Sequence, residues 1–117
     1  MPHFVIEYAR KIEQQIDLSK LLEITYQVGA SSGLMMPEDI KIRALPFDHF
    51  RMACTKDTFV HTTIFLLEGR TDEQKEKLSI ALRLEQAKLM PSVTAISIDI
   101  QGMNNIAYKK RLLPSDI

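Results

Sequence analysis

The chain has 117 residues, 45% apolar and 26% charged, which predicts one globular domain whose core needs no disulfide or metal staple. Lys and Arg number 15 and so do Asp and Glu, a formal charge of zero, so nothing favours nucleic acid or a membrane surface as a partner. Cys54 is the single cysteine, which excludes an internal disulfide; with no secretory leader and no bilayer-length apolar run, the expected setting is the cytoplasm.

In chain order, "HFVIEYA" at 3–9 alternates, with Phe4, Ile6 and Tyr8 on one face and His3, Val5 and Glu7 on the other. A period of two predicts a strand. Residues 10–16 are polar and are expected to connect. From Asp17, a capping residue, Leu18, Leu21, Leu22 and Val28 recur at helical spacing until "GASSG" ends the helix near Ser31. "MMPED" reads as a turn. Residues 39–47 predict a second strand, with Ile40 and Ile42 facing one way and Lys41 and Arg43 the other. Pro46 keeps that strand short or at an edge.

The order then repeats. Residues 58–67, "TFVHTTIFLL", are rich in β-branched and aromatic side chains and predict a strand. Thr71 and Gln74 have capping-box spacing, so a helix should start at Thr71 and run through Leu78, Ala81, Leu82 and Leu89 until Pro91 stops it. Residues 93–100 alternate again, and one further short strand is expected at Ile106–Tyr108. The fold class is therefore α/β (α+β): two β-α-β repeats, over about 1–55 and 56–117, forming a mixed four-stranded sheet with parallel strands inside each repeat. Two helices cover one face of such a sheet. The apolar residues on its other face call for a homo-oligomer.

Pro2 stands out. It could simply begin a strand, because the first ladder position tolerates a missing amide hydrogen. Pro is also small enough to permit removal of Met1, and a free N-terminal proline is a secondary amine. An α-amino group titrates at roughly 7.7–8.0. Burial and nearby cations would lower that value and make Pro2 a base at neutral pH.

"MPHFVIEYA", "FVHTTIFLLEGRTDEQK" and "AISIDIQGMNNIAYKK" resemble the 5-carboxymethyl-2-hydroxymuconate isomerase family of the tautomerase superfamily, over nearly the whole chain. The resemblance implies a trimer of two-repeat subunits, no cofactor, and Pro2 as catalytic acid/base after loss of Met1. It implies an isomerase that converts a small polycarboxylate dienol to its 2-oxo isomer in bacterial degradation of 4-hydroxyphenylacetate through homoprotocatechuate. Arg70, Arg43 and Lys41 take the places of the family's site cations; where this chain has Lys41, the family has arginine. Lysine keeps the charge and loses the bidentate fork, which bears on the choice of substrate more than on the class of reaction. His3 and Tyr108 are further candidates to line the site, each with a packing role as the plainer alternative. A tautomerase of another enol or unsaturated acid, or a non-catalytic trimeric assembly module, are the other readings.

The remaining candidates carry less. His3, His49 and His61 lack metal-ligand spacing, so no metal site is expected. Cys54 has no His–Asp company and reads as a small buried side chain. "KKR" at 109–111 reads as a solvated stretch.

Overall fold

The computed structural model describes residues 1–53 and 57–114. The elements run β1 (His3–Ala9), a 3-10 turn (Arg10–Gln14), α1 (Leu18–Ser31), a second 3-10 turn (Pro37–Asp39), β2 (Lys41–Phe47), β3 (Phe59–Leu67), α2 (Asp72–Leu89) and β4 (Ala95–Met103). The sheet order is β2-β1-β3-β4. β1 pairs in parallel with β2, β3 in parallel with β4, and β1 runs antiparallel to β3. Each helix thus joins a parallel pair, which gives the expected mixed sheet. Cys54 lies outside the described residues. No helix among them is long and apolar enough to cross a membrane.

The alternation of β1 and β3 decides which face is dry. Phe4, Ile6 and Tyr8 from β1 and Val60, Thr62, Ile64 and Leu66 from β3 are buried beneath the helices, which contribute Leu21, Thr25, Leu78, Leu82 and Gln86. Each large apolar side chain so buried contributes roughly 1.5–3 kcal/mol. Polar side chains lie in the same layer: the Gln86 amide donates to the Thr62 hydroxyl at 3.1 Å, and Thr25 returns its own hydroxyl to the Leu21 carbonyl at 2.7 Å. β2 is an edge strand, so Pro46 within it removes no donor from a central ladder.

Local chemistry sets the helix ends. The Asp17 carboxylate accepts from the Ser19 amide at 3.0 Å and the Ser19 hydroxyl at 2.7 Å, and these bonds hold its pKa below the usual carboxylate range. Thr71 and Gln74 form the reciprocal capping box, which is worth about 1 kcal/mol to α2. The glycines of "GASSG" do different things. Gly29 lies inside α1, where an added Cβ would sit 2.9 Å from Cζ of Phe4 and 3.2 Å from Cδ1 of Ile40. Gly33, at φ +77°, makes the left-handed turn beyond the helix.

Several boundaries differ from the sequence reading, β2 among them: it begins at Lys41, because Pro37–Asp39 form a 3-10 turn ahead of it. Residues 10–14 form a 3-10 turn that buries Ile12 completely, a single apolar side chain that shows no periodicity in a polar stretch. β4 starts at Ala95 and runs on to Met103, where the Met103 carbonyl accepts from the Glu68 amide at 3.0 Å. Ile106–Tyr108 is not a strand. The Asn104 side chain accepts from the amides of Ile106 and Ala107 at 2.9 and 2.8 Å, and the Tyr108 amide donates to the Asn104 carbonyl at 3.0 Å. That Asx turn bends the tail back toward the sheet and leaves Ile106 in solvent.

At the end of β1 the buried Tyr8 phenol donates to Glu13, and its pKa is pushed up to about 12 by burial first and by Glu13 second. The unfolded phenol titrates near 10. The folded chain therefore holds a proton that the unfolded chain releases, so this part of the stability is intact below pH 10 and is lost as pH rises from 10 towards 12. Urea midpoints measured at pH 9 and pH 11 should fall between the two in the native chain. In Tyr8→Phe that drop should shrink; an equal drop would remove Tyr8 as its source.

Candidate active site

The start of β1 lies centrally at one end of the sheet, beside the start of β2 and the end of β3. The Lys41 amide donates to the Pro2 carbonyl at 3.1 Å, and His3 stands opposite both Lys41 and Phe65. Pro2 is buried, as is Met1 at 9% exposure. While Met1 is attached the nitrogen of Pro2 is an amide, and the basic amine belongs to Met1. That amine has its pKa lowered, by burial first, then by Lys110 and by Arg70, with Asp39 opposing.

Arg70 follows Gly69, whose φ of +124° lets the chain turn out of β3. Its guanidinium donates to the carbonyls of Leu67 at 3.0 Å and Leu34 at 2.6 Å, fixing its charge close to the N-terminus with two of its five donors engaged. Lys41 and Arg43 share the face of β2 turned away from the helices, and both are exposed. Arg43 Nη1 lies 3.2 Å from Nδ1 of His3, and Nε2 of His3 lies 2.9 Å from the Tyr108 hydroxyl. The two rings meet edge to face, with centroids 5.9 Å apart. His3 has its pKa lowered by burial first, then by Arg43, the N-terminal amine and Lys41.

Five of the residues singled out in the sequence therefore converge with Pro2: His3, Lys41, Arg43, Arg70 and Tyr108. Two participants escaped the sequence reading. Lys110, taken there as part of a solvated basic stretch, reaches to 3.9 Å from the Asp39 carboxylate and adds positive field at the N-terminus. Asp39 lies in the 3-10 turn ahead of β2. The Asn-Asn pair at 104–105, a turn former that returns the tail, is the one local hint of Lys110, and nothing in the sequence marks Asp39. His61, on the same sheet face, is held by Ser97 at 2.6 Å and lies opposite Glu7.

A groove of about 730 Å³ lies elsewhere, between α1 and α2, lined by side chains such as Ile24, Val28, Leu78, Ala81 and Leu84. None of the converging cations lines it; its charged side chains are Lys77 and Glu85, one of each sign, so no excess of positive charge gathers there for an anion.

A sequence model of the family described as 5-carboxymethyl-2-hydroxymuconate isomerase matches residues 2–111. No curated protein sequence matches the chain. Among solved structures, a 5-carboxymethyl-2-hydroxymuconate isomerase from Deinococcus radiodurans R1 is 20% identical, with a TM-score of 0.81 over 94% of this chain and 88% of that one. A 5-carboxymethyl-2-hydroxymuconate delta-isomerase is 14% identical, with a TM-score of 0.79 over 96% and 88%. A fused 4-OT, a wild-type asymmetric trimer, is 17% identical, with a TM-score of 0.70 over 92% of this chain and 91% of that one. These likenesses give the tautomerase fold. The family match, over almost the full length, shows that this chain belongs to the 5-carboxymethyl-2-hydroxymuconate isomerase family and is an isomerase of the tautomerase superfamily.

Proposed function

We propose that the chain converts 5-carboxymethyl-2-hydroxymuconate to its 2-oxo isomer in 4-hydroxyphenylacetate catabolism, as a cytoplasmic homotrimer, with Pro2 as general acid/base once Met1 is removed. The observation that carries this is a buried N-terminus at the sheet end where Arg70, Lys110, Lys41 and Arg43 gather. A proline amine in that position meets the burial and positive charge that lower the pKa of the Met1 amine, and both favour the neutral form that can take a proton.

The reaction moves one proton and no net electrons. The neutral Pro2 nitrogen takes the proton of the 2-hydroxyl; the O–H pair becomes the carbonyl π bond, and the diene pair shifts along the conjugated chain. The prolinium then returns the proton to the terminal carbon of that system. The dienolate formed in between is the charge that the site must stabilise. Arg43 and Lys41 bind substrate carboxylates, and Arg70 supplies its charge and remaining donors.

The sheet face turned away from the helices carries Val5, Phe65 and an exposed Leu45 alongside its charges, and trimer formation covers it. A second reading, isomerisation of another unsaturated keto-acid, is favoured by one residue. Lys41 is a flexible point charge rather than a planar fork and grips a carboxylate less directionally.

The test pairs intact-mass spectrometry of protein from its own host with a ketonisation assay on 2-hydroxymuconate-type dienols, in competition with di- and tricarboxylates. A mass lacking Met1, with turnover inhibited best by tricarboxylates, is expected. Turnover indifferent to carboxylate count would move the reading to another enol. A retained Met1 with no turnover would point to an assembly module.

A further inference from the structure

His3 bridges two parts of the site that belong to different segments of the chain. One ring nitrogen faces Arg43 on β2 and the other faces Tyr108 on the returning tail. An arginine can only donate, so at 3.2 Å Nδ1 of His3 must be the acceptor and carry no proton. The ring proton is then on Nε2 and is donated to the Tyr108 oxygen. A single state of the imidazole, neutral and Nε2-protonated, satisfies both contacts.

The surroundings make that state the stable one. From β2, His3 meets Lys41 directly opposite and Arg43; from β3 its partner is Phe65, with Thr63 next on that face; from the tail it meets Tyr108; and the N-terminal amine lies nearby. On its own strand the nearest carboxylate on this face is Glu7, which lies opposite His61 and Leu45. On β4, Asp99 stands opposite Thr63, two strands away. An added proton on Nδ1 would place an N–H donor against a guanidinium, with further cations on either side.

We propose that His3 is a positioning residue of this site: through Nδ1 it holds the Arg43 guanidinium and through Nε2 it holds the tail at Tyr108, so the carboxylate-binding arm is assembled only while His3 is uncharged. This rests on the assignment of Arg43 to substrate carboxylates. Because the pKa of His3 lies below its ordinary 6.5, the arm is complete at neutral pH and is released as pH falls below that range. Acid inactivation would then reside in KM and be separate from the titration of Pro2, which acts on kcat.

The experiment has two arms. In the first, nitrogen-15 NMR of the histidine rings at pH 7.5 should show His3 unprotonated at Nδ1, and Arg43→Ala should move its titration up towards 6.5. A ring protonated at Nδ1, or a titration indifferent to Arg43, overturns the proposal. In the second, muconate, a conjugated dicarboxylate, is titrated as the probe at pH 7 and pH 5. Affinity should fall from pH 7 to pH 5 in the native chain. His3→Leu should weaken binding about tenfold at pH 7. His3→Asn places Oδ1 where Nδ1 stood and does not titrate; it should recover most of that loss and flatten the pH dependence. An acid limb that persists in His3→Asn overturns the proposal. The NMR arm needs no turnover, so an inactive chain whose His3 still responds to Arg43 sinks the isomerase reading, whereas an active chain whose His3 ignores Arg43 sinks this one.

Discussion

A preparation in which Met1 remains attached is expected to ketonise dienols at least about 100-fold more slowly than the same chain with Pro2 free. Acylation by Met1 turns a secondary amine into an amide, whose lone pair is delocalised and no longer basic. Met1 is also buried, so it fills space next to the nitrogen as well as neutralising it. Pro2→Ala, prepared with Met1 removed, separates the two effects, because it restores a free amine of the primary kind in the same field. It should fold normally, lose much of the activity and show a shifted pH–rate profile. Full activity with an unchanged profile would end the assignment of Pro2. Mass spectrometry and circular dichroism on each preparation make the comparison one of chemistry rather than of folding.

The largest expected effect on stability lies where β1 meets α1. Phe4 is fully buried, and its ring reaches the backbone of the helix at Gly29, where no Cβ intervenes. Phe4→Ala should cost about 3–5 kcal/mol, the range for deleting a buried phenyl ring. Gly29→Ala would gain up to about 1 kcal/mol of helix propensity, but its Cβ would lie 2.9 Å from the ring, and overpacking of that kind costs roughly 1–3 kcal/mol. The double variant tells these apart: with Phe4 reduced to Leu, Gly29→Ala should become neutral or stabilising. Urea denaturation of the four chains measures the coupling, and additive effects would mean that the contact is not what makes Gly29 necessary. Phe4 follows Pro2 and His3 directly, so this packing also holds the start of β1 in place beneath the site.

Strands and helices of this chain were legible because their burial is periodic. Phe4, Ile6 and Tyr8 announce β1, and Thr71 with Gln74 announces α2, through local rules that tertiary structure did not override. Ile12 was not legible, because a single buried side chain has no period. The tail was misread for a related reason. Ile106 and Tyr108 alternate like a strand, yet Asn104 offers their segment a turn bonded to its own side chain, and that local competitor wins. The site was partly legible. Pro2, Lys41, Arg43 and Arg70 could be matched by type and order, whereas Lys110 and Asp39 depend on where the tail returns, a long-range outcome that no spacing encodes.

The order β2-β1-β3-β4, antiparallel at its centre, gives the sheet two ends of equivalent design, one where β1 begins and one where β3 begins. At the first end Met1 and Pro2 precede β1; at the second, Thr58 precedes β3 with its nitrogen in a peptide bond. At that second end Phe59 packs edge to face on Phe50, and the exposed pairs Arg10–Asp48 and Lys11–Asp57 rim a cavity of about 520 Å³. On the proposed mechanism each polypeptide supplies one working amine, at the first end only. Connectivity alone thus makes two like ends chemically unequal, since the nitrogen of Thr58 is an amide within the chain.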